Sequence, residues 1–261
     1  MTSKPVRTDD GSFTLRHPEV GETYHSLDGA ETETRVKFIE PSRLKERCRN
    51  APVRLLDVGF GLGLNCRAAL ACAKDGSLQI DTLEHETQSL EQGLILFPGD
   101  PLLIGLKAKG VYQNVTLHLG DLRKTLPALT QPYDLIFHDP FSPVRNSECW
   151  TVEVFQQLFR LLKSDGALLT YSQSNMVRAA MSEAGFVIQN TTVPEGQRGG
   201  TIAFTSGTGI ALPSSIPYRD PDLNASGHDI RSRREATLRA SVSCDNVRLG
   251  VKQGRPASAF D

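Results

Sequence analysis

Val53-Arg-Leu-Leu-Asp-Val-Gly-Phe-Gly-Leu-Gly-Leu-Asn65 decides the fold: an apolar run stops in three alternate glycines and resumes with a helical pattern. It reads as a buried strand, a tight turn and a helix. Glycine at every second position removes Cβ atoms from the turn, so the backbone can approach a ligand and reach φ/ψ values barred to other residues. The following helix offers unsatisfied N–H groups to whatever sits there. The spacing of Gly59, Gly61 and Gly63 is G-x-G-x-G, whereas the dinucleotide fingerprint is G-x-G-x-x-G. Asp57, two residues before the first glycine, would repel a pyrophosphate. It would suit a ligand with a cationic amino-acid end, such as S-adenosylmethionine.

Working outward, strands and helices alternate. Leu64, Ala68, Ala69 and Cys72 recur at helical spacing, and Leu78–Leu83 alternates as a strand ending in Glu84. A helix is expected from about Thr87 to Phe97, with a loop at Pro98–Pro101. Further strands are expected at Val115–Leu119, Tyr133–His138 and Gly166–Ser172, and further helices at Thr151–Lys163 and Asn175–Ala184. Phe186–Val193 and Thr201–Thr205 read as a closing hairpin. Five parallel units plus that hairpin predict an α/β fold of the class I S-adenosylmethionine-dependent methyltransferase type: a Rossmann-like, mostly parallel, seven-stranded sheet with a terminal antiparallel hairpin. Residues 1–50 read as a small hairpin and helix appendage, 51–206 as the methyltransferase domain, and 207–261 as a Pro/Ser/Arg-rich, partly disordered extension. Between Arg231 and Arg255 six Arg and one Lys face Glu235 and Asp245.

The 261 residues, 39% hydrophobic and 23% charged, are ordinary globular values. No apolar run approaches the roughly 20 residues of a membrane span. The five cysteines form no C-x-x-C pair, so neither a zinc cluster nor a disulfide framework is suggested and a reducing cytoplasm fits best. A net charge of −1 gives no global attraction to nucleic acid.

Ligands of open α/β sheets bind beyond the carboxyl ends of the strands, and acids fall there in register. Asp57 ends the first strand, Glu84 the second, Asp121 the third and Asp139 the fourth. Glu84 would accept the ribose hydroxyls of S-adenosylmethionine and Asp121 the adenine amino hydrogens, with its cationic end near Asp57 and the glycines. Asp139-Pro-Phe-Ser-Pro143 resembles the Asp/Asn-Pro-Pro-aromatic loop of amino-group methyltransferases, in which a side-chain oxygen and a backbone carbonyl hold the target nitrogen; restricted backbone before proline fixes that geometry. Asp139 and Phe141 are therefore the catalytic candidates. Trp150 could stack on a base or staple to Phe155 across an N-cap at Thr151. Arg145 and Asn146 could contact a phosphate or the acceptor, or form a solvated loop, and Arg178 could contact RNA.

The chain resembles the MnmC-like family, the methyltransferase domain that completes 5-methylaminomethyl-2-thiouridine in the tRNA anticodon. The motifs that carry the resemblance are Asp9-Asp-Gly-Ser12, Tyr24-His-Ser26, Glu33-Thr-Arg35, the Asp57–Asn65 run, Asp139-Pro-Phe-Ser-Pro-Val-Arg-Asn146, Trp150-Thr151 and Val177-Arg178 through Ala184-Gly-Phe186. The resemblance implies methyl transfer from S-adenosylmethionine to the aminomethyl nitrogen of the wobble uridine. It places Tyr24 and Asn65 with the cofactor and Pro143, Arg145, Asn146, Trp150 and Arg178 with the substrate. The expected partner is the tRNA anticodon region, with a functional link to the enzymes that install the aminomethyl group. Many relatives have Asp-Gly-Phe at Asp139-Pro-Phe and Asn-Pro at Asn146-Ser147. Bifunctional members add an FAD oxidase domain; no FAD and no metal are expected here. Two competing readings are an aminopropyltransferase of the spermidine-synthase kind and a non-catalytic RNA-binding module of the same fold. The first would require paired acids near residue 139, where the sequence shows one.

Overall fold

The computed structural model describes residues 4–74 and 76–248. In chain order the elements are β1 (Val6–Arg7), β2 (Phe13–Thr14), α1 (Ala30–Thr34), a π-helical turn (Arg35–Ile39), α2 (Glu40–Ser42), α3 (Leu44–Asn50), β3 (Val53–Val58) and α4 (Leu64–Cys72). Then follow β4 (Leu78–Glu84), α5 (Gln88–Leu96), α6 (Pro101–Lys109), β5 (Val111–Tyr112), β6 (Val115–Leu119) and α7 (Leu122–Thr125). The remainder comprises β7 (Tyr133–His138), α8 (Val152–Leu161), β8 (Leu162–Thr170), α9 (Asn175–Glu183), β9 (Val187–Asn190), β10 (Thr201–Phe204) and α10 (Gly227–Arg248).

The main sheet has the order β5-β6-β4-β3-β7-β8-β10-β9. Strands β6, β4, β3, β7 and β8 are mutually parallel, and β10 inserts antiparallel between β8 and β9. Its eighth strand, against seven expected, is the two-residue edge strand β5, antiparallel to β6. Successive residues of the central strands serve opposite faces. Leu55, Leu135 and Phe137 pack with Phe38, Phe60 and Ile80 on one side, while Leu56, Val58 and Ile136 pack with Trp150, Phe155 and Leu158 on the other. Covering both faces explains why these strands read as continuous apolar runs.

Three expectations change. The loop at Pro98–Pro101 is the start of α6: the Asp100 side chain accepts from Leu103 N at 3.1 Å, with Pro101 in the first turn and Gly110 closing the helix. The helix expected to Lys163 gives way at Leu162 to β8, which is longer at its start than expected. The extension after β10 crosses back over the fold. Tyr218 bridges Thr151 in parallel, Val152 N donates to Tyr218 O at 3.1 Å, and α10 follows. Of the extension expected to be partly disordered, residues 249–261 lie outside the described residues, whereas Gly227–Arg248 form α10.

The segment read as an appendage packs directly on the fold. Asp10 Oδ2 accepts from Thr32 N at 2.9 Å and Ser12 Oγ from Ala30 N at 3.1 Å, capping α1 from a distance. A Cβ on Gly29 would collide with Asp10 Oδ2. That explains the Asp9-Asp-Gly-Ser12 motif as a helix cap. Burial works against ionised Asp10, but hydrogen bonds from Ser12, Thr32 and Thr8 hold it well below the usual carboxylate range.

Candidate active site

A cleft of about 750 Å³ opens beyond the carboxyl ends of β3, β4, β6 and β7, the position an open parallel sheet provides. Its floor is the Val58–Gly61 turn. Gly59 has φ 90°, and a Cβ there would lie 2.7 Å from the carbonyl oxygen of Asp139, so the first glycine lets the β3 and β7 loops touch. Gly61 N donates to Glu84 Oε2 at 2.9 Å, and His85 N to Glu84 Oε1 at 2.6 Å. These bonds fix the Glu84 carboxylate at the rim of the turn, while burial raises its pKa against them.

Asp121 and Asp139 also line the cleft. Arg123 grips Asp121 with Nε at 3.0 Å from Oδ1 and Nη2 at 2.6 Å from Oδ2. Burial opposes the charge, yet this grip holds Asp121 below its ordinary value. Asp139 differs: burial first, then Glu33, push its pKa well above normal, with one hydrogen bond from Asn65 Nδ2 at 2.8 Å. Tyr24, Phe141 and Asn146 line the cleft as well. Tyr24 is driven to about 12 by burial, and its ring lies 5.2 Å from that of Phe141 and 5.6 Å from that of His17.

Other expected site residues stand elsewhere. Asp57 is fully buried beneath the turn rather than at its mouth. Its Oδ2 accepts from Thr82 Oγ1 at 3.0 Å and Cys66 Sγ at 3.2 Å, Oδ1 has no hydrogen-bond partner, and burial raises the carboxyl to about 7. Gly63 packs against the Phe60 ring and starts α4, and Asn65 acts through Asp139; neither lines the cleft. Trp150 is fully buried and stacks on no ligand surface. Its Nε1 donates to Phe141 O at 2.9 Å, and its ring lies 6.4 Å from Phe155 across the Thr151 cap, the staple geometry. Arg178 is also buried: Nε donates to Thr201 Oγ1 at 2.9 Å and Nη2 to Asn190 Oδ1 at 2.7 Å, so it clamps β9 and β10 instead of facing RNA. Pro143 lies outside the cleft. Arg145 lines a separate small groove with Val144 and Arg231.

Four residues escaped the reading of isolated motifs. Glu22 and Glu33 enter from the N-terminal segment, Glu22 binding Ser142 through N (3.1 Å) and Oγ (2.6 Å) of the Asp139–Pro143 loop. Tyr171 Oη donates to Pro140 O at 3.1 Å. Glu148 adds another carboxylate to the lining. Glu33 lies in the quoted Glu33-Thr-Arg35 motif; for the others no local pattern signals which residues meet. Eight carboxylates line the cleft (Glu19, Glu22, Glu33, Glu84, Glu86, Asp121, Asp139, Glu148) against two arginines, Arg16 and Arg123. The site favours cationic ligands. Among the described residues no cluster of His, Cys, Asp and Glu could hold a metal ion, and no helix is long and apolar enough to cross a membrane.

Residues 101–206 match a family described as S-adenosyl-L-methionine-dependent methyltransferase. A protein of Methanocaldococcus jannaschii without an assigned function is 29% identical over 255 residues, covering 88% of this chain and 71% of that one. The tRNA 5-methylaminomethyl-2-thiouridine biosynthesis bifunctional protein MnmC of Burkholderia vietnamiensis is 30% identical over 205 residues. The match covers 68% of this chain but 31% of the relative, so the chain spans about a third of that bifunctional protein. The crystal structure of MnmC2 from Aquifex aeolicus superposes with a TM-score of 0.71 at 28% identity, over 87% of this chain and 82% of that one. A spermidine synthase bound to the transition-state analogue AdoDATO superposes at 0.51 with 15% identity, a likeness of fold alone.

Proposed function

The chain belongs to the MnmC-like family of S-adenosyl-L-methionine-dependent methyltransferases, and we propose on that footing that it methylates the aminomethyl nitrogen of a modified wobble uridine in tRNA. The observation that carries the proposal is Asp139: a carboxylate at the β7 end with a raised pKa, hydrogen-bonded by Asn65 and neighboured by Glu33.

S-adenosylmethionine, when bound, supplies an electrophilic methyl on its sulfonium. The glycine turn, Glu84 and Asp121 form a cradle for it whose acids suit a cationic donor. The acceptor must arrive as a neutral amine, although an alkyl amine of pKa roughly 10.4 is protonated at neutral pH. An ordinary carboxylate would keep it so. Asp139, raised by burial, both orients the ammonium and takes its proton. The carbonyls of Pro140 and Phe141 each accept one bond, from Tyr171 and Trp150, and keep a second lone pair; the Asp139 side chain adds the charged acceptor on this loop. The amine lone pair would then attack the sulfonium methyl in line with the carbon–sulfur bond, forming the N–C bond while the electrons of the broken bond leave with S-adenosylhomocysteine.

The wider reading is a cytoplasmic enzyme that meets the anticodon region after other enzymes have installed the free aminomethyl group. Purified protein with S-adenosylmethionine is expected to convert aminomethyl-uridine tRNA to the methylaminomethyl form in nucleoside mass spectrometry. An unmethylated product sinks the proposal. A second reading draws on Glu22 and Glu33, which supply beside Asp139 the additional acids that a polyamine would need. Decarboxylated S-adenosylmethionine with putrescine tests it: aminopropyl transfer would replace the tRNA reading.

A further inference from the structure

We propose that Asp220, in the strap between β10 and α10, positions the adenine end of the cofactor pocket by acting through Arg123 on Asp121. The inference rests on Asp121 accepting the adenine amino group.

Arg123 is shared between two carboxylates. Its Nε and Nη2 hold Asp121, while Nη1 donates to Asp220 Oδ2 at 2.9 Å and to Ala225 O at 2.7 Å. Asp220 is completely buried and itself fixed on several sides. Its carboxylate accepts from Ala225 N at 3.0 Å, its own N donates to Glu153 Oε2 at 2.8 Å on α8, and its carbonyl accepts from Leu223 N at 2.9 Å. Leu223, at φ 53°, turns the strap back so that Ala225 reaches both partners. The strap is thus wired into the fold, and Arg123 is its link to the cleft.

Two consequences follow for Asp121. A guanidinium clamped on both sides cannot rotate, so the planar fork fixes the carboxylate plane and directs its remaining lone pairs into the cleft. Two carboxylates around one arginine also leave the cluster negative. Without Asp220, the Asp121–Arg123 pair would be neutral, Nη1 would lose its charged anchor, and Asp121 would be a weaker, less directed acceptor. Asp220 lies outside the cleft lining and is a positioning residue. The strap lies beyond the 101–206 segment that matches the family description, so nothing in that match assigns it a role.

Calorimetry with S-adenosylhomocysteine and with its analogue lacking the exocyclic adenine amine separates positioning from simple scaffolding. The native chain is expected to prefer the amine-bearing ligand by about tenfold or more, the worth of a hydrogen bond to a charged acceptor. Asp220→Asn, which keeps the volume and the Ala225 bond, and Asp220→Ala should lose most of that preference while binding the deamino analogue as before. Arg123→Lys, with charge but no fork, should likewise lose the preference and serves if Asp220→Ala fails to fold. An equal drop for both ligands, or an intact preference, overturns the positioning role alone. No preference in the native chain overturns the adenine assignment of Asp121, and the proposal with it.

Discussion

Asp139 and Asp57 show how burial gives two carboxylates of one sheet different consequences. Asp139 opens onto the cleft, where on the proposed function its raised pKa would serve proton transfer. Asp139→Asn should lower methyl transfer by about 10²–10⁴-fold while S-adenosylhomocysteine affinity, measured calorimetrically, is unchanged; a variant of near-native rate would remove Asp139 from the chemistry. Native activity should rise with pH as Asp139 and the amine lose protons, and the variant should keep only the amine's limb. Asp57 is closed off, and its pKa moves from 3.8 to about 7. The folded state therefore holds a proton that the unfolded chain has released, so stability present below pH ~4 is lost as pH rises towards 7. Asp57→Asn should flatten that decline, a difference of roughly 4 kcal/mol by pH 8, in urea titrations across pH 4–8; an unchanged slope refutes it. The sequence located Asp57, Trp150 and Arg178 along the chain but not what surrounds them. β3 is apolar on both faces, so no polar alternation tells which way Asp57 points. Trp150 and Arg178 have amphipathic side chains equally suited to ligand or core.

Between β7 and α8 the Asp139–Pro143 loop is pinned at three points: Tyr171 on Pro140, Trp150 on Phe141, and Glu22 on Ser142. Trp150→Phe keeps an aromatic ring but is smaller and removes the bond to Phe141 O. It should cost about 2 kcal/mol or more of stability, from the lost bond and the cavity together, and on the proposed function raise KM for the tRNA acceptor several-fold without altering cofactor affinity, as steady-state kinetics would show; an unchanged KM refutes the pinning. The Thr151 cap and its staple were legible because capping is a short-range pattern. Helix α6 carried signals of the same kind, Asp100-Pro101 ahead and Gly110 behind, yet its opening Pro-Gly-Asp-Pro reads equally as a loop. The change from α8 to β8 at Leu162 was not legible, because Leu161 and Leu162 suit both structures and pairing of Leu162 with Tyr133 decides.

Across the molecule, charge is segregated. The cleft is acidic, whereas α10 presents exposed Arg233 and Arg239. On the proposed function, an acidic pocket suits a cationic amine but repels the phosphates attached to it, so phosphate contacts would come from outside. Replacing Arg233 and Arg239 together by alanine should weaken tRNA binding and reduce the slope of log K against log salt by up to about 2; filter-binding titrations at several salt concentrations would show it, and an unaltered slope would exclude this face. Alternation of strands and helices made the sheet legible, because each unit is local. The completed cleft was not, since Glu22, Tyr24 and Glu33 reach it over distances along the chain that no short-range pattern encodes.

That separation has a kinetic meaning. The Glu22–Ser142 contact closes a span of 120 residues, a costly loop to close before intervening structure has shortened it. On a ribosome the N-terminal wall emerges first and waits for β7 and its loop, so the pocket is assembled last. Fluctuations should reverse that order. Amide exchange in residues 15–25 should outpace that of β3 and β7, and a methyl donor that touches Tyr24 would slow it. The enzyme would then open by lifting a wall made before the loop it rests on.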